Sequence, residues 1–137
     1  MSKNAQLECF THAYITCALW SSTDGEGTPL DDGRDADDLA PETLVKMQAD
    51  CAIFYARHEG AIQCDGAPMS REDLTASESE RKAAMAGHDF WLNRNGHGAG
   101  FWDGDWPEPH ATALDKGCAV FRPCDPYVGD DGLIYLA

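Results

Sequence analysis

The stretch from Gly87 to Asp103 constrains what this chain can fold into more than any other. Two apolar-aromatic runs, Phe90-Trp91-Leu92 and Gly100-Phe101-Trp102, flank a polar, glycine-rich centre containing Asn95-Gly96. Asn-Gly readily takes the positive φ angles of a tight two-residue turn, so this spacing predicts a β-hairpin over residues 88–103. Gly98 and Gly100 then permit a bulge, or a close approach of Trp91 or Trp102 across the strand pair. Side chains alternate along a strand, which sets Asp89 and Trp91 on one face and His88, Phe90 and Leu92 on the other.

Helices are expected on the N-terminal side of that hairpin. Leu7, Phe10, Tyr14 and Cys17 recur at three- and four-residue steps, which predicts an amphipathic helix over 6–20, while the β-branched pair Ile15-Thr16 and the ending Leu19-Trp20 leave a strand open. An acidic loop over 24–38 follows, holding Asp24, Glu26, Asp31, Asp32, Asp35, Asp37 and Asp38 against the single Arg34. Asp37 or Asp38 is a suitable N-cap for a second helix, with Pro41 in its first turn. That helix continues through Leu44, Met47, Cys51, Phe54 and Tyr55 to about Arg57, and Gly60 marks its end. Ser70 with Asp73 imitates a capping box for a third helix that stops at Gly87. A short helix over about 109–117 precedes a second hairpin, Tyr127 to Leu136, with Asp131-Gly132 at its turn. The fold class is therefore α+β: N-terminal helices packed on a small antiparallel sheet built from two C-terminal hairpins, within a single domain of residues 1–137.

Charge narrows the function. Twenty-four acidic and ten basic residues give a net charge of −14, which repels phosphates and argues against direct binding of nucleic acid. It favours encounter with basic surfaces of other proteins. Residues 24–50 hold nine acids and two bases, a net −7 and half of the total. The loop lacks the alternating oxygen ligands, central glycine and closing glutamate of a calcium-binding loop. No stretch is apolar over the length of a membrane span, and the first residues lack the pattern of a signal peptide. None of the six cysteines forms a Cys-x-x-Cys pair, so they read as structural thiols in a reducing compartment.

The 88–105 segment concentrates groups with chemical potential: His88, Asp89, Arg94, Asn95, His97, Asp103 and Asp105. One reading sets Arg94, Asn95 and His97 at the hairpin turn, gripping a partner, with Trp91 and Trp102 as aromatic contacts. Another pairs His88 and His97 with Asp89 or Asp103 in a metal site, as in a small metal-dependent hydrolase. His88 shares a strand face with Phe90 and Leu92, which favours a core histidine over a ligand, so no metal or other cofactor is expected. Gly96, Gly98 and Gly100 open no helix and lack a phosphate-loop lysine, which defeats a nucleotide-cradle reading. No serine sits in a nucleophile elbow, and nothing orients Cys118 with His110. These features lean away from catalysis.

The run Ala86 to Asp103 resembles the signature of a family of small, uncharacterised proteins of tailed bacteriophages and prophages. Ala18-Leu19-Trp20-Ser21-Ser22-Thr23-Asp24, Pro29-Leu30-Asp31-Asp32, Leu39 to Leu44 and Tyr127 to Tyr135 fit the same family in order. Arg122-Pro123-Cys124-Asp125-Pro126 departs from it, because two prolines there shorten or displace the strand that leads into the last hairpin. The resemblance implies a phage accessory protein in the cytoplasm of a bacterial host, and it carries no catalytic residue with it. The expected function is binding and inhibition of a basic, nucleic-acid-binding site on a host protein, through Asp31, Asp32, Asp35, Asp37 and Asp38 or through the aromatic hairpin. A structural or assembly role in the virion is the other non-enzymatic reading.

Overall fold

A computed structural model describes residues 3–137. Four helices, α1 (Lys3–Ser21), α2 (Pro41–Ile62), α3 (Glu78–Arg94) and α4 (His110–Cys118), precede one antiparallel pair, β1 (Pro126–Val128) and β2 (Ile134–Leu136). The α+β class holds. The helices, however, pack mainly on one another, and among them only α2 makes substantial contact with the hairpin.

The 88–103 hairpin does not form; residues 88–94 are the last two turns of α3. Ala83, Ala86, Gly87, Phe90, Trp91 and Arg94 fall at three- and four-residue steps, and all six are buried. That is a helical stripe, so Phe90-Trp91-Leu92 is part of a buried helix face and not of a strand. Asn95-Gly96 supplies positive φ as expected, but to a helix cap. Asn95 is the C-cap and Gly96 follows at φ 67°. The Gly96 N–H donates to the Asn93 carbonyl, and the His97 N–H to the Leu92 carbonyl at 3.1 Å. These two bonds are the Schellman closure of a helix end. A hairpin turn and this cap ask the same residue pair for the same backbone freedom.

The start of α3 also differs from expectation. Ser77, not Ser70, caps it: the Glu80 N–H donates to Ser77 Oγ at 3.2 Å, and the Ser77 N–H donates to Glu80 Oε1 at 3.0 Å. Ser70 instead ties down the connector, its N–H and carbonyl both engaging Arg81. In α2 the N-cap is Ala40. Asp35 and Asp38 form a reciprocal capping box around the 3-10 turn Ala36–Asp38 one step earlier. Gly60 is exposed inside α2, which continues to Ile62 because nothing at that position opposes the helix.

Gly87 does not terminate a helix. A Cβ there would lie 2.0 Å from the Phe10 carbonyl oxygen, so α1 and α3 cross with their backbones in contact. Around that crossing sits an aromatic core in which Phe10, Tyr14, Phe54, Phe90 and Phe101 are fully buried. Phe54 and Phe90 stack at 4.1 Å between ring centroids, and Phe101 lies 5.8 Å beyond Phe54. Such ring pairs add about 0.5–1.5 kcal/mol each beyond the area they bury.

The hairpin at 126–136 forms as expected, with Tyr127 opposite Tyr135 and Gly132 at φ 82° in the turn. Its first strand begins at Pro126, and the backbone pairing continues past that proline to Asp125, which exchanges both hydrogen bonds with Ala137. The Ala40 N–H donates to the Ile134 carbonyl at 3.0 Å, which fixes the hairpin to the entry of α2.

Replacing Gly87 with alanine must push the two helices apart. Gly87→Ala is expected to destabilise the protein toward the upper end of the about 1–3 kcal/mol typical of overpacking, read as a lowered urea midpoint with unchanged slope.

Candidate functional site

Two surface regions bring the chemically capable residues together, and a buried arginine links them to the core. Arg94 ends α3 with its side chain inside the protein. Its Nη1 donates to Asp50 Oδ2 at 2.8 Å and to the Tyr14 hydroxyl at 3.0 Å. Its Nε donates to the Arg122 carbonyl at 3.1 Å, and Nη2 donates to the same oxygen. The guanidinium also lies 5.4 Å from the Phe121 ring centroid and 5.7 Å from that of Phe90. Arginine suits this position because one planar, permanently charged group reaches three acceptors at once. Asp50 is 6 % exposed, and its second oxygen accepts from Lys46 at 3.0 Å. Burial pushes the Tyr14 phenol well above its usual range despite the opposing pull of Arg94.

Above this network lies an open groove of about 730 Å³, bounded by the first turns of α2, residues 120–124 and the hairpin. Lys46, Arg122, Tyr127 and Tyr135 line it, with Asp50 and Arg94 in its wall. Tyr127 and Tyr135 stack at 5.8 Å, and the Tyr135 hydroxyl donates to Asp131 at 2.5 Å.

The second region is the acidic loop. Asp24 accepts from the Glu26 and Thr28 N–H groups, which holds its carboxyl below the usual carboxylate range. Asp35 accepts from the Asp37 N–H, while Asp38 accepts from the Asp35 N–H. These bonds order the loop from within. Asp31, Asp32, Asp35 and Asp37 are exposed and Asp38 is half-buried.

The expected hairpin contacts separate. Trp91 is fully buried, donating from Nε1 to Ser21 Oγ at 2.9 Å, and Arg94 is buried as described, so neither is a surface contact. Asn95 is half-buried and satisfied at both ends: its amide donates to the Trp91 carbonyl, and its oxygen accepts from the Cys124 N–H at 2.7 Å. Helical winding turns these three inward where alternating strand faces would have exposed some of them. His97 and Trp102 are exposed, Trp102 at 56 %.

The groups of the metal reading do not converge. Asp89 is buried, accepting from Trp106 Nε1 at 2.7 Å and contacting His88 Nδ1 at 3.1 Å. His88 in turn stacks on Trp20. Asp103 accepts within its own loop, and Asp105 is exposed beside it. Among the described residues, no three His, Cys, Asp or Glu side chains are arranged to hold a metal ion. All six cysteines are free; burial pushes the Cys17 and Cys118 thiols up to about 12 and raises Cys51 as well. At neutral pH these three are protonated and unreactive. No helix among the described residues is long and apolar enough to cross a membrane.

Comparison with protein-family models, curated proteins and solved structures found nothing that matches this chain.

Residues 24–38 form a loop as the sequence leads one to expect, whereas nothing in the sequence singles out Asp50, Tyr14 or Arg122 as partners of Arg94. The available signal was weak: Asp50 is one acid on the otherwise apolar face of α2, among Met47, Cys51 and Phe54.

Two outcomes follow from the geometry. Arg94→Leu leaves Asp50 buried with only Lys46 as partner. It is expected to cost about 3–5 kcal/mol in chemical denaturation, and Arg94→Lys recovers little of this because an ammonium cannot reach all three acceptors. The second concerns the hairpin turn. The hydrogen bond to Asp131 raises the Tyr135 phenol from its ordinary value near 10 to about 12 and lowers the Asp131 carboxyl. The contribution of the pair is complete below the ordinary phenol value and is lost as pH rises through about 12. On the acid side it is present above the ordinary carboxylate value and is lost as pH falls through the depressed one. Ultraviolet titration is expected to show Tyr135 ionising near the ordinary phenol value in Asp131→Asn and well above it in the parent protein.

Proposed function

We propose that this protein is a non-catalytic interaction protein whose acidic face occupies a basic, nucleic-acid-binding surface on a host protein and blocks it. One observation carries the reading. The 24–38 loop uses its own hydrogen bonds to hold its shape, and that shape leaves Asp31, Asp32, Asp35 and Asp37 facing solvent. Preordered carboxylates lose little conformational freedom on binding and can stand where phosphates would.

The chain leads from this loop directly into α2, whose outer face exposes Val45 (65 %) and Ile53 (43 %). Apolar side chains beside a charged rim suit a protein partner better than a small solute. The resemblance of residues 86–103 to tailed-phage proteins supports a bacterial host and its cytoplasm as the setting. Of the hairpin contacts expected from the sequence, His97 and Trp102 are accessible to such a partner.

Binding of this kind is electrostatically steered and screened by salt. A host protein captured at about 50 mM salt is expected to be released at about 500 mM, where the screening length has fallen by about threefold. Substituting Asp31, Asp32 and Asp37 together with asparagine is expected to weaken capture at least tenfold without altering thermal stability. Equal retention at both salt concentrations contradicts the reading.

A further inference from the structure

We propose that the groove over Arg94 is a second, separate binding site, for a small planar anion: an aromatic ring carrying a terminal phosphate or carboxylate. The first support is local charge. In a chain of ten basic and 24 acidic residues, three basic residues (Lys46, Arg94 and Arg122) line this groove, with two acidic ones, Glu42 and Asp50. Asp50 is already shared between Lys46 and Arg94, so the three together carry one net positive charge. Arg122 adds a second, which Glu42 offsets, so the groove keeps one net positive charge. Its carbonyl is clamped by Arg94, which anchors the backbone, while its exposed guanidinium has no partner among the described residues. A guanidinium without a partner and an ammonium with one, both from residues lining the same groove, are the kind of donors that phosphate and carboxylate groups take.

The second support is the wall. Tyr127 is 47 % exposed and lines the groove, backed by Tyr135, whose hydroxyl is pinned to Asp131. A fixed, exposed ring offers a flat ligand a stacking surface with little ordering left to do. The third is size: about 730 Å³ falls within the roughly 300–1,000 Å³ of small-molecule sites. The overall charge of −14 sharpens the choice of ligand. A long polyanion meets repulsion along its whole length, whereas a compact anion feels mainly the groove within a screening length of about 8–10 Å.

The test is a titration of the full chain followed by amide resonances, with three probes: adenosine 5′-monophosphate, 4-hydroxybenzoate and uncharged adenosine. Saturable shifts at Lys46, Arg122 and Tyr127 with either anion, and much weaker ones with adenosine, are expected. The tighter of the two anions assigns phosphate or carboxylate as the preferred group. Arg122→Glu alters an exposed side chain and is expected to weaken binding at least tenfold at unchanged melting temperature; Tyr127→Ala is expected to weaken it as much, with the small loss of stability that follows from removing the ring stacked on Tyr135. The proposal is overturned by no shift with either anion at about 10 mM, a level that reports even very weak sites. It is equally overturned by adenosine binding as well as the anions, or by Arg122→Glu binding like the parent chain. None of these outcomes bears on the acidic loop.

Discussion

The Arg94 guanidinium is the joint on which the arrangement of this molecule depends. It ends α3, and its partners come from three other places: Tyr14 in α1, Asp50 in α2 and the main chain at Arg122 after α4. Apolar packing alone is non-directional and tolerates sliding of one helix on another. A buried cation that must meet Asp50, Tyr14 and one carbonyl leaves far fewer arrangements. Removing any partner leaves charge or polarity stranded, and among the described residues no buried side-chain nitrogen or oxygen lacks a partner.

The same joint organises the surface. By clamping the Arg122 carbonyl, Arg94 brings the 120–124 segment against α2 and so forms one wall of the groove. Asn95, next in sequence, holds the Cys124 N–H and fixes where that segment turns toward the hairpin. The hairpin is bonded in turn to the start of α2 through Ala40 and Ile134, directly after the acidic loop. The loop, the groove and the core are thus mechanically connected, although their chemistry is separate.

Much of this was legible in the sequence, and the exceptions have physical causes. The stripe of α2 and the Asp-Gly turn of the last hairpin each point to one structure only, whereas Ile15-Thr16 and Leu19-Trp20 left a strand open for the segment that forms α1. Residues 88–103 point to two. Three consecutive apolar residues before Asn-Gly fit a strand entering a turn and equally a buried helix reaching its cap, because both endings need positive φ at the glycine. The earlier alanines and Gly87 decide between them by extending the helical step back to Ala83. Ser77-x-x-Glu80 was an equally readable start signal, masked by the similar Ser70 and Asp73 seven residues earlier. The acidic loop could be read because its chemistry is contiguous. The groove could not, since Lys46, Arg122 and Tyr127 meet only after α2 and the hairpin have docked.

A double-mutant cycle between Asp50 and Arg94 tests the joint most directly, using Asp50→Asn, Arg94→Met and the pair together in chemical denaturation. If the two side chains act as one unit, the double variant loses much less stability than the two single losses combined, with a coupling of about 1–3 kcal/mol. Losses that simply add would show that the contact stabilises nothing jointly, and the guanidinium could not then be what sets helices and hairpin in register.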